Sequence, residues 1–134
     1  MELESIETNG LSNAFASASA LTSVSFPNLV TVGENGLTYC FSGDRNIKSV
    51  SFPKLASVGK GGLRNTFLSC TGITGTVSFP ALTSIDISGL NGAFNGCEKI
   101  TQIRFRADME NIIKSLTGYS SKFGAKNATI YFNL

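Results

Sequence analysis

The feature that most constrains this chain is that it repeats itself. The segment LTSVSFPNLVTVGENGLTYCF, which begins at Leu21, returns from Ile47 as IKSVSFPKLASVGKGGLRNTF and again as TVSFPALTSIDISGLNGAF, ending at Phe94. Phe26, Phe52, Phe79 and Phe105 are separated by 26, 27 and 26 residues, and Leu11, Leu37, Leu63, Leu90 and Leu116 by 26, 26, 27 and 26. Both series gain their extra residue in the same copy. That places a one-residue insertion between Ile73 and Val77 and predicts a bulge or looser turn there. A fixed period of this length is the mark of a solenoid, in which each unit is too small to bury its own apolar face and stacks on the next.

Inside each copy the hydrophobic residues first alternate with period two, as in Val24 and Phe26 around Ser25, which predicts a short strand. Pro27, Pro53 and Pro80 end it, because proline has no N–H to give to a sheet ladder. A second apolar pair follows (Leu29 and Val32, Leu55 and Val58, Leu82 and Ile85), then a glycine at Gly36, Gly62 and Gly89. Leu37 with Phe41, Leu63 with Phe67 and Leu90 with Phe94 come next, at a spacing of i, i+4. This reads as a short helical or irregular turn with both side chains inward.

The same alignment divides the chain. Leu3, Ile6, Gly10, Leu11 and Phe15 match Leu29, Val32, Gly36, Leu37 and Phe41, so residues 1–20 form a partial repeat. Full repeats follow at 21–46, 47–72 and 73–99, and residues 100–134 make the last rung and a C-terminal cap, all within one domain (1–134). With no strand ahead of Leu3, the first complete rung is expected to present an uncovered edge and one open face of the core. At the other end Arg106 replaces the strand-ending proline. Asp108 is a candidate N-cap for a short helix that buries Met109, Ile112, Ile113 and Leu116, and Ile130, Tyr131 and Phe132 predict a final strand.

The strand with its following proline, the second apolar pair, and the A-F-x-x-C sequence of Ala93, Phe94 and Cys97 resemble the BspA-like (Treponema-type) leucine-rich repeat, from Leu3 to the last strand. The coils are longer than is usual in that family. Of the positions matching its cysteine only Cys70 and Cys97 carry one, with Asp44 in the first full repeat. The resemblance implies a repeat solenoid, a right-handed coil with a short-stranded parallel sheet on its concave face, few helices, and a C-terminal cap of one short helix and a final strand. It also implies a non-catalytic interaction or adhesion module of a bacterial surface protein, hence an extracellular or cell-surface location. A second reading is a structural spacer or phage tail-fibre-like module that self-associates.

Composition narrows the chemistry. The chain has no His, so Ser-His-Asp, Cys-His and histidine-metal sites cannot be built within it. The nine acidic residues are scattered, and three cysteines at these spacings match no zinc motif, so neither an enzyme nor a cofactor is expected. Cys70 and Cys97 fall at equivalent positions of successive coils, about 5 Å apart by strand spacing, and read as buried free thiols, although a disulfide lies within reach. The net charge of +2 is too small to argue for nucleic acid. Its distribution is uneven, because Glu2, Glu4, Glu7, Glu34 and Asp44 precede the first basic residue, Arg45. That polarity motivates self-association through the open N-terminal edge. No apolar run approaches the roughly 18 to 20 residues of a membrane span, so direct membrane insertion is not expected. Glu2, Glu4 and Glu7 stand where a signal peptide would need a basic segment and an apolar one.

The outward positions of the first strands form two ladders, Ser23, Ser49, Thr76, Gln102 and Ser25, Ser51, Ser78, Arg104. Small hydroxyl side chains there make a flat surface able to hydrogen-bond a protein or glycan ligand, and equally a solvated filling that tolerates β structure. Arg104 and Arg106, with Gln102, are the candidate polar contact point, suited to an anionic group.

Overall fold

The structure is a computed structural model and describes residues 2–134. In chain order the strands are β1 (Ser5–Ile6), β2 (Ser23–Ser25), β3 (Thr31–Val32), β4 (Ser49–Ser51), β5 (Ser57–Val58), β6 (Gly75–Phe79), β7 (Ser84–Ile85), β8 (Ile100–Phe105) and β9 (Thr129–Phe132), with one helix, α1 (Glu110–Lys114), before β9. Every strand pairing among the described residues is parallel, and partners lie one coil apart in sequence. Val24 is opposite Val50, Val77 opposite Ile103, and Ile103 opposite Ile130. The chain is therefore a stack of coils that contact each other edge to edge, the repeat solenoid with short parallel strands expected from its period.

Each coil supplies strands to two faces. The alternating Val-x-Phe segments make β2–β4 and β6–β8–β9, while the second apolar pair makes a separate four-stranded sheet, β1–β3–β5–β7. That second sheet was not visible in the sequence, because a two-residue strand such as Thr31–Val32 is too short to display a period. The expected bulge is present. The pairing of β6 with β8 is irregular between Gly75 and Thr76, Gly75 has φ +76°, and the first sheet is interrupted between β4 and β6.

On the third face the i, i+4 spacing left a helical and an irregular turn open, and the structure shows turns and no helix. From Asn9 to Ala18 alternate N–H groups go to different places. Those of Asn9, Leu11, Asn13, Phe15 and Ser17 donate to the carbonyls of Glu34, Gly36, Thr38, Cys40 and Ser42 in the next coil, whereas Gly10, Ser12, Ala14, Ala16 and Ala18 donate three residues back. The pattern recurs from Asn35 to Asp44. Every fourth residue is left-handed: Asn9, Asn13 and Ser17, then Asn35, Tyr39 and Gly43, then Gly61, Asn65 and Ser69. Asn and Gly tolerate that conformation best. A four-residue turn, repeated and tied to its neighbour, thus mimics helical spacing without a helix.

Two columns of phenyl rings fill the interior. Phe26, Phe52, Phe79, Phe105 and Phe132 stack with centroid separations of 5.5, 6.0, 5.5 and 6.1 Å, and Phe15, Phe41, Phe67 and Phe94 with 5.6, 5.6 and 5.7 Å. The columns meet edge to face, Phe26 on Phe41 at 6.3 Å and Phe52 on Phe67 at 6.2 Å. Both arrangements suit the ring quadrupole. Leu29, Leu37, Leu55, Leu63, Leu82 and Leu90 complete the core.

The C-terminal end differs from expectation in two respects, and the N-terminal end in one part of its expectation. Asp108 is not the N-cap: Arg106 holds that position ahead of a 3-10 turn (Ala107–Met109), and Asp108 in the first turn pairs with it. Ile112 is 42% exposed while Met109, Ile113 and Leu116 are buried, because the tight turn before α1 changes the phase of the buried stripe. At the N-terminal end Val24 and Phe26 are buried. The apolar face of the first complete rung is therefore covered, with Leu11, Phe15 and Leu21 half-buried against it, whereas β2 is the outermost strand of its sheet among the described residues.

Asp44 occupies the position of Cys70 and Cys97. The two thiols donate to the carbonyls of Phe41 and Phe67 one coil earlier, at 3.0 and 3.1 Å. Asp44 is fully buried, and neither carboxylate oxygen has a hydrogen-bond partner among the described residues. Burial pushes its pKa up, against a smaller opposing effect of the Ala18 backbone. The folded state therefore favours the protonated carboxyl, so stability is fullest below the unfolded carboxyl pKa and falls as pH rises through the folded one. Asp44→Cys is expected to stabilise the protein by about 1–3 kcal/mol at pH 7, with the gain shrinking toward pH ~3, as read by urea unfolding at each pH. Phe67→Ala, which removes a ring held between Phe41 and Phe94, is expected to cost about 3–5 kcal/mol in the same assay.

Candidate binding surface

The strand register brings the predicted ladder residues together. Ser23 is opposite Ser49 and Ser25 opposite Ser51 on β2 and β4; Thr76 is opposite Gln102, and Ser78 opposite Arg104, on β6 and β8. Ser23, Ser25, Ser49, Ser51 and Thr76 are exposed, and Ser78, Gln102 and Arg104 half-buried. The irregularity at Gly75 separates the serine pairs from the larger polar residues. Two patches result, one of short hydroxyl side chains and one with longer side chains.

β9 extends both rows by one rung, which the sequence reading stopped short of. Thr129 is opposite Gln102 and Tyr131 opposite Arg104. The Arg104 guanidinium lies 4.9 Å from the centroid of the Tyr131 ring, donates from Nε to Gln102 Oε1 at 2.8 Å, and donates from Nη1 to Asn133 Oδ1 at 3.1 Å. Thr76 Oγ1 donates to the same Gln102 oxygen at 3.3 Å. The face therefore carries an aromatic platform. The signal was present in the sequence, since Ile130-Tyr131-Phe132 repeats the spacing of Ile103-Arg104-Phe105.

Arg104 and Arg106 have different surroundings. Arg106 makes a two-point contact with Asp108, Nε to Oδ1 at 3.0 Å and Nη2 to Oδ2 at 2.8 Å, and the pairing lowers the Asp108 pKa. Arg104 is in none of the ion pairs found among the described residues. Its charge is held flat by Tyr131 and Gln102 while remaining uncompensated by a carboxylate. This is an arrangement suited to an incoming acceptor.

Among the described residues no three His, Cys, Asp or Glu side chains come together as a metal site. Cys40, Cys70 and Cys97 are free and fully buried, and burial pushes all three thiols up to about 12, far from the thiolate that nucleophilic or redox chemistry needs. Cys40 sits in a buried row of its own with Thr66 and Ala93. A thiol-reactive probe at pH 8 is expected to label none of them in the folded protein and all three in denaturant.

A family model for the BspA type leucine rich repeat region matches residues 4–123 in six copies. No curated protein and no solved structure matches the chain.

Proposed function

Since the chain belongs to the BspA-type leucine-rich-repeat family, we propose that it is a non-catalytic adhesion module of a bacterial surface protein, taking a protein or glycan ligand on the face carried by β2, β4, β6, β8 and β9. Repeats of this family generally serve as interaction modules and are typically surface-associated. No helix among the described residues is long and apolar enough to cross a membrane.

The observation that carries the proposal is the cluster of Gln102, Arg104, Tyr131 and Asn133. A tyrosine ring covered by a guanidinium is a flat, amphipathic platform that loses little side-chain entropy on binding, and aromatic and arginine side chains dominate binding hot spots. The neighbouring Thr76, Ser78 and Thr129 both donate and accept hydrogen bonds, which matches the hydroxyl pairs of a sugar or the backbone of an extended peptide. The serine patch on β2 and β4 adds area with little side-chain entropy to lose.

Screening on glycan and peptide arrays tests the reading. A ligand bound by the wild-type chain is expected to lose about tenfold or more in affinity, roughly 1.4 kcal/mol, with Tyr131→Ala or Arg104→Ala, and to change little with Lys54→Ala, a residue off these rows. Binding that is unaffected by both cluster substitutions would place the ligand elsewhere.

A further inference from the structure

We propose that the ligand of the strand face is an acidic polysaccharide, held through its carboxylate or sulfate groups by the cluster around Arg104. The proposal rests on the reading that this face binds a ligand, and adds the chemical class of that ligand. Three observations carry it.

The first is that the cluster offers mostly donors. A guanidinium can only donate hydrogen bonds, so the amides beside it must turn their carbonyl oxygens toward it. Gln102 Oε1 takes the N–H of Arg104 Nε and the hydroxyl of Thr76, and Asn133 Oδ1 takes an N–H of Nη1. Both amides are thereby oriented. Neither Gln102 Nε2 nor Asn133 Nδ2 donates to an acceptor among the described residues, and of the five guanidinium N–H groups three are left over. Gln102 and Arg104 are half-buried and Asn133 is exposed, so these donors are held in place at the surface. An incoming group must supply acceptors, and a single oxyanion supplies several.

The second is charge. From Ile87 onward the chain has three acidic residues, and each already has a cation: Glu98 with Lys126, Asp108 with Arg106, and Glu110 with Lys114. Arg104 has none. The outward residues of β6, β8 and β9 are Thr76, Ser78, Gln102, Arg104, Thr129 and Tyr131, and none is acidic. The guanidinium therefore stays uncompensated against a tyrosine ring, where a charge-assisted hydrogen bond is stronger than in open solvent.

The third is what surrounds the cluster, which favours a polysaccharide over an acidic peptide. An extended peptide that adds to a sheet needs a free backbone edge, and β8 lies between β6 and β9 with both of its edges engaged. This face presents side chains instead. Ser49, Ser51, Ser78 and Thr129 carry hydroxyls that give and take hydrogen bonds, as sugar hydroxyls do. A polymer with an acidic group on its sugars sets hydroxyls and oxyanions side by side, which suits rows of hydroxyls leading up to one cationic centre.

Binding of the whole chain to polygalacturonate, its methyl ester, dextran sulfate, dextran and poly-glutamate, measured by calorimetry, tests this. Polygalacturonate or dextran sulfate is expected to bind, with the matching neutral polymer and poly-glutamate weaker by about tenfold or more. Which of the two acids binds identifies the oxyanion. Arg104→Lys keeps the charge and loses the planar fork, while Gln102→Glu keeps the shape and sets a carboxylate against the guanidinium; each is expected to weaken binding about tenfold or more, with circular dichroism to check folding. Equal affinity for the neutral and acidic polymers overturns the proposal. So does poly-glutamate binding as tightly as the acidic polysaccharide, or acid-dependent binding that survives both substitutions. Failure of all the polymers to bind overturns it too, and the wider reading of the face is then decided separately by the array ligands and their response to Tyr131→Ala. If one variant misfolds, the other and the paired polymers decide.

Discussion

The structure rests on one requirement, that each coil satisfy its backbone through the coil next to it. On the two strand faces this is the parallel ladder, and on the third face it is every second N–H of the turn segment, as in Leu37 to Gly62 and Leu63 to Gly89. A coil pinned on three faces cannot slip relative to its neighbour without breaking all three sets, and that fixes which side chain lies above which. The phenyl columns follow from this. Their separations of 5.5 to 6.1 Å along the Phe26 to Phe132 column are set by backbone spacing, and the rings fill a gap already measured out for them.

Such a lattice makes interior positions strict and shows why Asp44 stands out. Its equivalents Cys70 and Cys97 each hand a weak donor to a carbonyl one coil back, so the position is polar enough to want a hydrogen bond and dry enough to disfavour a charge. A carboxylate can donate there only when protonated.

The sequence was legible wherever one coil repeats another. The period located the column of Phe26, Phe52, Phe79 and Phe105, the insertion before Val77 and the two outward rows, because each was seen several times in equivalent positions. It was opaque where the signal was local and short. A two-residue strand such as Ser57–Val58 has no period to detect, and a turn repeating every four residues imitates the spacing of a helix, so Leu63 and Phe67 pointed to the correct interior but left helix and turn undistinguished. The cap was misread where repetition stops: the 3-10 turn before α1 turned Ile112 outward, and Asp108 served Arg106 instead of the helix end. Tyr131 was missed as a surface residue because the rows were followed only to Arg104.

The division between what repeats and what varies also organises function. Inward residues are nearly interchangeable between coils, so they carry stability and little individuality. Outward residues are free to differ, and along these rows they change from Ser23 and Ser49 through Thr76 to Gln102, and from Ser25 and Ser51 through Ser78 to Arg104 and Tyr131. Size, aromaticity and charge therefore accumulate toward one end of an otherwise uniform surface. Because the Arg104 guanidinium lies over the Tyr131 ring, a ligand that orders the ring on β9 orders the charge on β8 with it, and the two side chains contribute to affinity as one unit and not as independent contacts.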